Sequence, residues 1–258
     1  MRRLIVEDPM SRLATWSQRV GWLALAVFLL AGVLVRWRRV ELEPGLVALA
    51  AACGLAGLAV LLALGAFARI WVEGHKGFGR AVGGFLLGIL VLAYPAFVAA
   101  GTLAGPPMLD VTTDAARAPA FSASRPAVQA RGGWVAPQVP PGLRESQRAA
   151  APRLDGLTLE MPEDAAFALA REAAEASGFT IVEASAPGGR SAAGRIDARA
   201  DTLVLRLPIE LAIRVRPTPA GARVDVRAVS RAPLVDIGGP QATIERYLRE
   251  IDARASLL

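Results

Sequence analysis

The sequence predicts an α+β protein: a three-helix transmembrane region followed by a small antiparallel sheet packed on two helices. Three observations predict it. Residues 1–104 contain three long runs dominated by Leu, Ala, Val and Gly. Residues 194–238 alternate in period two. Ile196, Ala198 and Ala200, then Leu203, Leu205 and Leu207, then Ile209, Leu211, Ile213 and Val215, then Val224, Val226 and Ala228 are apolar. Asp197, Arg199, Asp201, Glu210, Arg214, Arg216, Arg223, Asp225 and Arg227 stand between them. Strands send successive side chains to opposite faces, so one face is apolar and the other charged. Finally, two amphipathic helical patterns flank this stretch, one before and one after.

The charge is split as the composition is. The net charge of +6 divides into ten basic against five acidic residues up to residue 104, a net +5, and 19 against 18 beyond it, a net +1. The basic excess therefore sits in loops around apolar helices. That is a topology signal, whereas a nucleic-acid binder shows a basic soluble domain. Cys53 is the single cysteine and lies inside an apolar run, so it forms no intrachain disulfide and says nothing about redox compartment.

The first apolar run, Val20 to Val35, is closed by Arg36, Trp37, Arg38 and Arg39. Its long basic lead, its abrupt basic stop and the lack of a small-x-small cleavage pattern favour a membrane helix near 18–36 over a secretory signal. Pro44 opens a second run near 45–70, and a third covers 81–104. Pro95 is expected to kink the third helix. Gly79 with Gly83, and Gly84 with Gly88, lie four apart, so each pair shares a helix face that another backbone can approach closely. The plain expectation is packing inside the three-helix bundle; homo-oligomer contact through the same glycines is the alternative. Arg2, Arg3, Arg12 and Arg19 with Arg69, Lys76 and Arg80 outnumber Arg36, Arg38, Arg39 and Arg117, seven to four. The positive-inside rule then puts the N-terminus in the cytoplasm and residues 105–258 outside. The Ala, Gly and Arg richness is bacterial in flavour, and the expectation is a bacterial inner-membrane protein with a periplasmic C-terminal domain in the cell envelope.

Residues 105–155 carry eight prolines, which deny helix and central strand. This is either a stalk or an arm laid on the domain, and Phe121 and Trp134 favour an arm with anchor points. The α+β domain spans 156–258. Leu157 to Glu160 reads as a short strand. Pro162, Glu163 and Asp164 open a helix that puts Ala166, Leu169, Ala170, Ala173 and Ser177 on one face and ends at Gly178. Phe179 to Ala184 is a strand. Pro208 is expected to separate a strand ending at Leu207 from one beginning at Ile209. Pro217 to Gly221 reads as a hairpin loop, with two admissible registers: one sets Arg214 opposite Asp225, the other Glu210 opposite Arg227. A last helix carries Ile244, Tyr247, Leu248 and Ile251 on one face.

The run Val224, Asp225, Val226, Arg227, then Ser230, Arg231, then Asp236, Ile237, Gly238 resembles the domain-of-unknown-function 1499 family. Asp110 to Asp114, the Pro119, Ala120, Phe121 stretch and Ile213 to Pro217 are also similar to it, and the resemblance covers roughly residues 106–255. Apolar helices before the domain fit that family. The chain departs from the pattern at Ile209 and Glu210, where two acidic residues are usual, and at Ala228, Pro233 and Pro240, in place of serine, glycine and asparagine. A polar site on those positions would lack several groups here. The resemblance implies architecture more than activity.

Beyond residue 75 there is no histidine, beyond 53 no cysteine, and from residue 105 onward no lysine. Histidine triads, thiol nucleophiles, conventional zinc sites and a phosphate loop with its lysine are thereby excluded from the domain. Asp110 and Asp114 are too few for calcium. No metal, no cofactor and no catalytic residue is expected. Ligand or partner contacts fall on Arg214, Asp225, Arg227, Ser230, Arg231, Asp236 and Gly238. Arg227 and Arg231 with Ser230 suit an anion through bidentate contacts, against the plainer expectation of a solvated charge face. Asp225 is expected to pair with an arginine across the sheet, and Asp236 to order the turn before the last helix. The expected function is a membrane-anchored, non-enzymatic binding or interaction module. Its partners would be the lipid bilayer and an envelope protein or small anionic ligand, without nucleic acid. The alternatives are an extracytoplasmic hydrolase using Asp225 and Asp236, and an envelope sensor or assembly factor acting through the helices.

Overall fold

Small residues face inward and large ones outward along the N-terminal helices, the reverse of a water-soluble bundle. The computed structural model describes residues 10–103, 109–139, 142, 147, 154–188, 193–232 and 239–257. It divides into two compact units, Met1–Gly101 and Thr102–Leu258.

The first unit holds α1 (Arg12–Arg36), α2 (Leu42–Glu73) and α3 (Phe78–Leu103). All three are long and apolar enough to cross a membrane. On α2 the buried positions Ala52, Ala56, Ala59, Ala63 and Ala66 form a stripe of small side chains. Leu29, Leu61 and Leu86 stay more than half exposed, as lipid-facing leucines would. Gly84 packs on Ser17 and Gln18 of α1, and Gly88 on Ala56 and Val60 of α2, so both glycines serve the bundle itself. Gly83 touches Gln18, and a side chain at Gly79 would meet open space. Helix α3 runs through Pro95. Ser11 caps α1 and donates its backbone N–H to Lys76 O at 2.9 Å, which holds the start of α1 and the α2–α3 loop at one end of the bundle.

The second unit is built on a six-stranded antiparallel sheet: β1 (Asp110–Thr112), β2 (Leu157–Leu159), β3 (Thr180–Ser185), β4 (Gly194–Asp201), β5 (Pro208–Thr218) and β6 (Gly221–Ser230). The spatial order is β1-β6-β5-β4-β3, and β2 shares the β6 edge with β1. Its apolar face buries Ile196, Ile209, Leu211, Ile213, Val224 and Val226 against two helices. These are α5 (Glu163–Ala176) and α6 (Pro240–Ala255), which contribute Phe167, Leu169, Ala170 and Ala173, and Ile244, Tyr247 and Ile251. The Tyr247 hydroxyl donates to Ala170 O at 2.8 Å and ties the two helices together. A short helix, α4 (Arg125–Ala130), lies in the proline-rich stretch.

Two expectations are corrected here. Leu203 to Leu207 forms a loop, although its alternation suggests a strand. Thr202 closes the loop, since Thr202 N–H donates to Leu207 O and Leu207 N–H to Thr202 Oγ1, and Arg206 turns it with a left-handed φ of 55°. Leu205 and Leu207 are buried there while Leu203 is exposed. The other correction is that the proline-rich stretch, expected to hold no helix, contains α4, with Pro126 in its first turn where a missing N–H costs nothing; Asp110–Thr112 joins the sheet as an edge strand, which the expectation allowed.

Candidate functional site

The β5–β6 register sets Arg214 opposite Asp225, Ala212 opposite Arg227 and Arg216 opposite Arg223. That selects the first of the two admissible registers and puts these charges on the face away from the helices. Here the expected solvated charge face is also corrected. Asp197, Glu210, Asp225 and Arg227 are buried, because the arm folds back over them. Within that arm the rings of Phe121 and Trp134 meet edge to face at 5.7 Å. Arg131 and Arg227 stack on Phe121 at 5.6 and 5.5 Å, and Arg231 stacks on Trp134 at 5.7 Å.

Unpaired, each buried charge would cost several kcal/mol, so the partners decide whether this layer is tolerable. Among the described residues there are four groups. In the first, Arg227 grips Asp110 with Nε–Oδ1 2.9 Å and Nη2–Oδ2 2.6 Å, and its Nη2 also donates to Pro137 O at 3.1 Å. In the second, Asp197 Oδ2 accepts from Ser122 N–H at 2.7 Å and from Arg131 Nη2 at 3.0 Å. Burial pushes the Asp197 carboxyl above its usual range, against the pull of Ser122 N–H, Arg131 and Arg195; Glu183 adds to the push.

In the third group Glu210 takes Arg199 at 2.8 Å and Arg231 at 3.4 Å. The surplus positive charge there meets carbonyls at the end of α4, Ala130 O for Arg199 and Arg131 O for Arg231. Carbonyls at a helix C-terminus carry partial negative charge and suit cations. In the fourth, fully buried Asp225 accepts from Arg214 Nη2 at 2.9 Å, Arg216 Nε at 3.1 Å and Arg223 Nε at 3.0 Å. Asp114 Oδ2 of the arm joins Arg214 at 3.0 Å and Arg216 at 3.5 Å. Burial opposes ionisation of Asp114. The backbone N–H groups of Arg117 and Ala116 and the Arg214 guanidinium outweigh it and hold its carboxyl below the usual range.

The β6 edge is closed in segments. β1 pairs with Arg227–Val229 and β2 with Ala222–Val224. Between them Thr113 N–H donates to Val226 O at 2.9 Å, and Val226 N–H donates to Thr113 Oγ1 at 2.9 Å. Gly156 fills the remaining gap beside Asp225: a Cβ there would lie 2.5 Å from Asp225 Oδ1 and 2.8 Å from Val224 O. The Gln147 side-chain amide completes the outer edge of β1 on Thr112, accepting from its N–H at 3.0 Å.

Of the expected contact residues, the structure brings Arg214 and Asp225 into one cluster and holds Arg227 in another. Ser230 is spent locally, exchanging hydrogen bonds with Ala232, while Arg231 bridges Glu210 and the arm. Asp236 and Gly238 lie outside the described residues, so the expected ordering of the turn by Asp236 does too. Sequence reasoning passed over Arg131, Gln147 and Gly156. Arg131 stands just before Gly132 and Gly133, whose positive φ values of 66° and 80° end α4. That glycine pair, with Ser124 and Pro126 at the start of α4, is a local sign that the arm makes an ordered turn. No group of three or more metal-ligating side chains exists among the described residues.

Fold and site together define a protein with three candidate membrane helices and an α+β domain whose charged sheet face is sealed by its own N-terminal arm. The family model described as a protein of unknown function, DUF1499, matches residues 110–251, and the chain belongs to that family. No curated protein and no solved structure matches it.

Proposed function

We propose that this chain is a membrane-anchored cell-envelope protein whose α+β domain works as a binding or interaction module outside the cytoplasm. The observation that carries the binding-module assignment is the state of Asp225. It is fully buried, and its two oxygens accept from three arginines. A carboxylate that is fully buried and holds three guanidiniums on its two oxygens is out of reach of a substrate and tied up in ion pairs with its partners, which speaks against the hydrolase alternative that needs it as an acid or base. What supports the orientation is the distribution of cationic residues. Arg12, Arg69, Lys76 and Arg80 flank the bundle end that the Ser11–Lys76 hydrogen bond draws together, and Arg36 ends α1 with Arg38 and Arg39 following it in the α1–α2 loop. An envelope protein or a small anionic ligand is the partner that an arginine-rich domain without nucleic-acid charge excess suits.

Two measurements test this. In cells, Asp225→Asn should lose function only as far as it loses folded protein. A variant with wild-type melting temperature and the phenotype of a deletion, where Arg223→Gln keeps both stability and function, would overturn the binding-module assignment in favour of the hydrolase. A reporter fused after Leu258 should be active in its exported form; activity of a cytoplasmic reporter alone would overturn the orientation.

A further inference from the structure

We propose that Arg214, Arg216 and Arg223 form a binding site for a single phosphate group, carried on a free phosphate ester or on a lipid headgroup. It deepens, and rests on, the assignment of the domain as a binding module. Charge balance separates this cluster from the rest of the buried layer. Arg227 with Asp110, and Arg131 with Asp197, are neutral pairs. The surplus cation around Glu210 is met by Ala130 O and Arg131 O. Around Asp225 and Asp114, three guanidiniums face two carboxylates, and no carbonyl takes up the difference among the described residues.

The geometry points outward as well. Arg216 and Arg223 are direct cross-strand partners, an arrangement of like charges that is unfavourable without an anion between them. Asp225 supplies one from below, while the side chains of Arg214, Arg216 and Arg223 keep 23%, 28% and 29% of their surface exposed. A guanidinium carries five N–H donors. Only Nη2 of Arg214, Nε and Nη2 of Arg216 and Nε of Arg223 are engaged among the described residues. The Nη1 groups of all three and Nη2 of Arg223 remain for a ligand. Paired N–H donors from neighbouring guanidiniums match the oxygens of a phosphate. Asp114, on the arm, already occupies part of this surface as an intramolecular anion, so it competes with the ligand.

The test is calorimetric titration of inorganic phosphate into the full chain in phosphatidylcholine nanodiscs. Saturable binding is expected. Arg223→Gln, which removes charge but can still donate to Asp225, should weaken it about tenfold, and Asp114→Asn should tighten it several-fold. Arg171→Gln, on the exposed side of α5, should change nothing. Repeating the titration with phosphatidylglycerol in the nanodisc separates the sources. A weakened apparent affinity identifies a lipid headgroup as the occupant, and an unchanged one identifies a soluble phosphate; both sustain the site. Absence of saturation in the wild type overturns it. So does equal affinity in a folded Arg223→Gln variant, or an equal loss in Arg171→Gln. Such a failure leaves the binding-module assignment to the Asp225→Asn experiment, which involves no phosphate.

Discussion

Asp110 on the first sheet strand receives both forks of the Arg227 guanidinium, at 2.9 and 2.6 Å, although 117 residues separate the two in sequence. Both side chains are buried. Bidentate, charge-assisted pairs out of water are among the stronger polar contacts in proteins, and each strands the other when one is removed. A double-mutant cycle of Asp110→Asn and Arg227→Gln in the full chain should therefore give a coupling energy of about 2 kcal/mol in unfolding experiments. Additive effects would mean that the arm is not held through this pair.

Gly156 is expected to tolerate no side chain. Its Cβ would press on Asp225 Oδ1 and on the Val224 carbonyl, neither of which can retreat without breaking the three-arginine cluster or the β6 backbone. Gly156→Ala should cost about 1–3 kcal/mol, read as a lowered melting temperature.

The helix bundle supplies a paired comparison. A side chain at Gly88 would run into Val60 and the Ala56 carbonyl, whereas one at Gly57 would meet nothing within 4 Å. Gly88→Leu should destabilise the detergent-solubilised protein and Gly57→Leu should not. If function depends on the bundle as a sensor or assembly element, Gly88→Leu should also abolish it while the sheet domain keeps its fold. Limited proteolysis of residues 110–251 would report that.

Acid separates Asp114 from Asp197. The folded-state pKa of Asp114 is lowered, so its stabilisation is present above the ordinary value of 3.8 and is lost as the pH falls below that through the folded value. The stability gap between wild type and Asp114→Asn should close in that window. Asp197 is shifted the other way. Above its folded pKa its ionised form weighs against folding. As the pH falls through that value towards 3.8, the folded state takes up a proton that the unfolded chain does not, and this contribution becomes more favourable. The gap between wild type and Asp197→Asn should move in favour of the wild type over that interval. Melting temperatures across the acid range check both signs.

Much of this architecture is legible in the sequence because its signals are local. Apolar runs give the three helices, and period-two alternation gives β4, β5 and β6. Pro162 and Gly178 bracket α5 at Glu163–Ala176. Alternation misled at Leu203 to Leu207, where the Thr202 side chain and the left-handed Arg206 decide the backbone. The candidate site was legible only in half. Arg214 and Asp225 follow from hairpin geometry once the register is chosen. Burial of their face does not, because it depends on an arm joined to the sheet by contacts that span about a hundred residues, such as Arg214 with Asp114. Charge alternation reads as a solvated face unless the chain supplies its own cover, and a proline-rich stretch with two aromatics is a faint announcement of one.

Docking of the arm over the charged sheet face is the central structural claim, and amide hydrogen exchange on the full chain tests it most directly. Thr113 N–H is bonded to Val226 O, and Ser122 N–H to buried Asp197. Both amides should exchange as slowly as those of β5 in the middle of the sheet. Exchange at the rate of exposed, unstructured chain at Thr113 and Ser122, with β5 still protected, would contradict it.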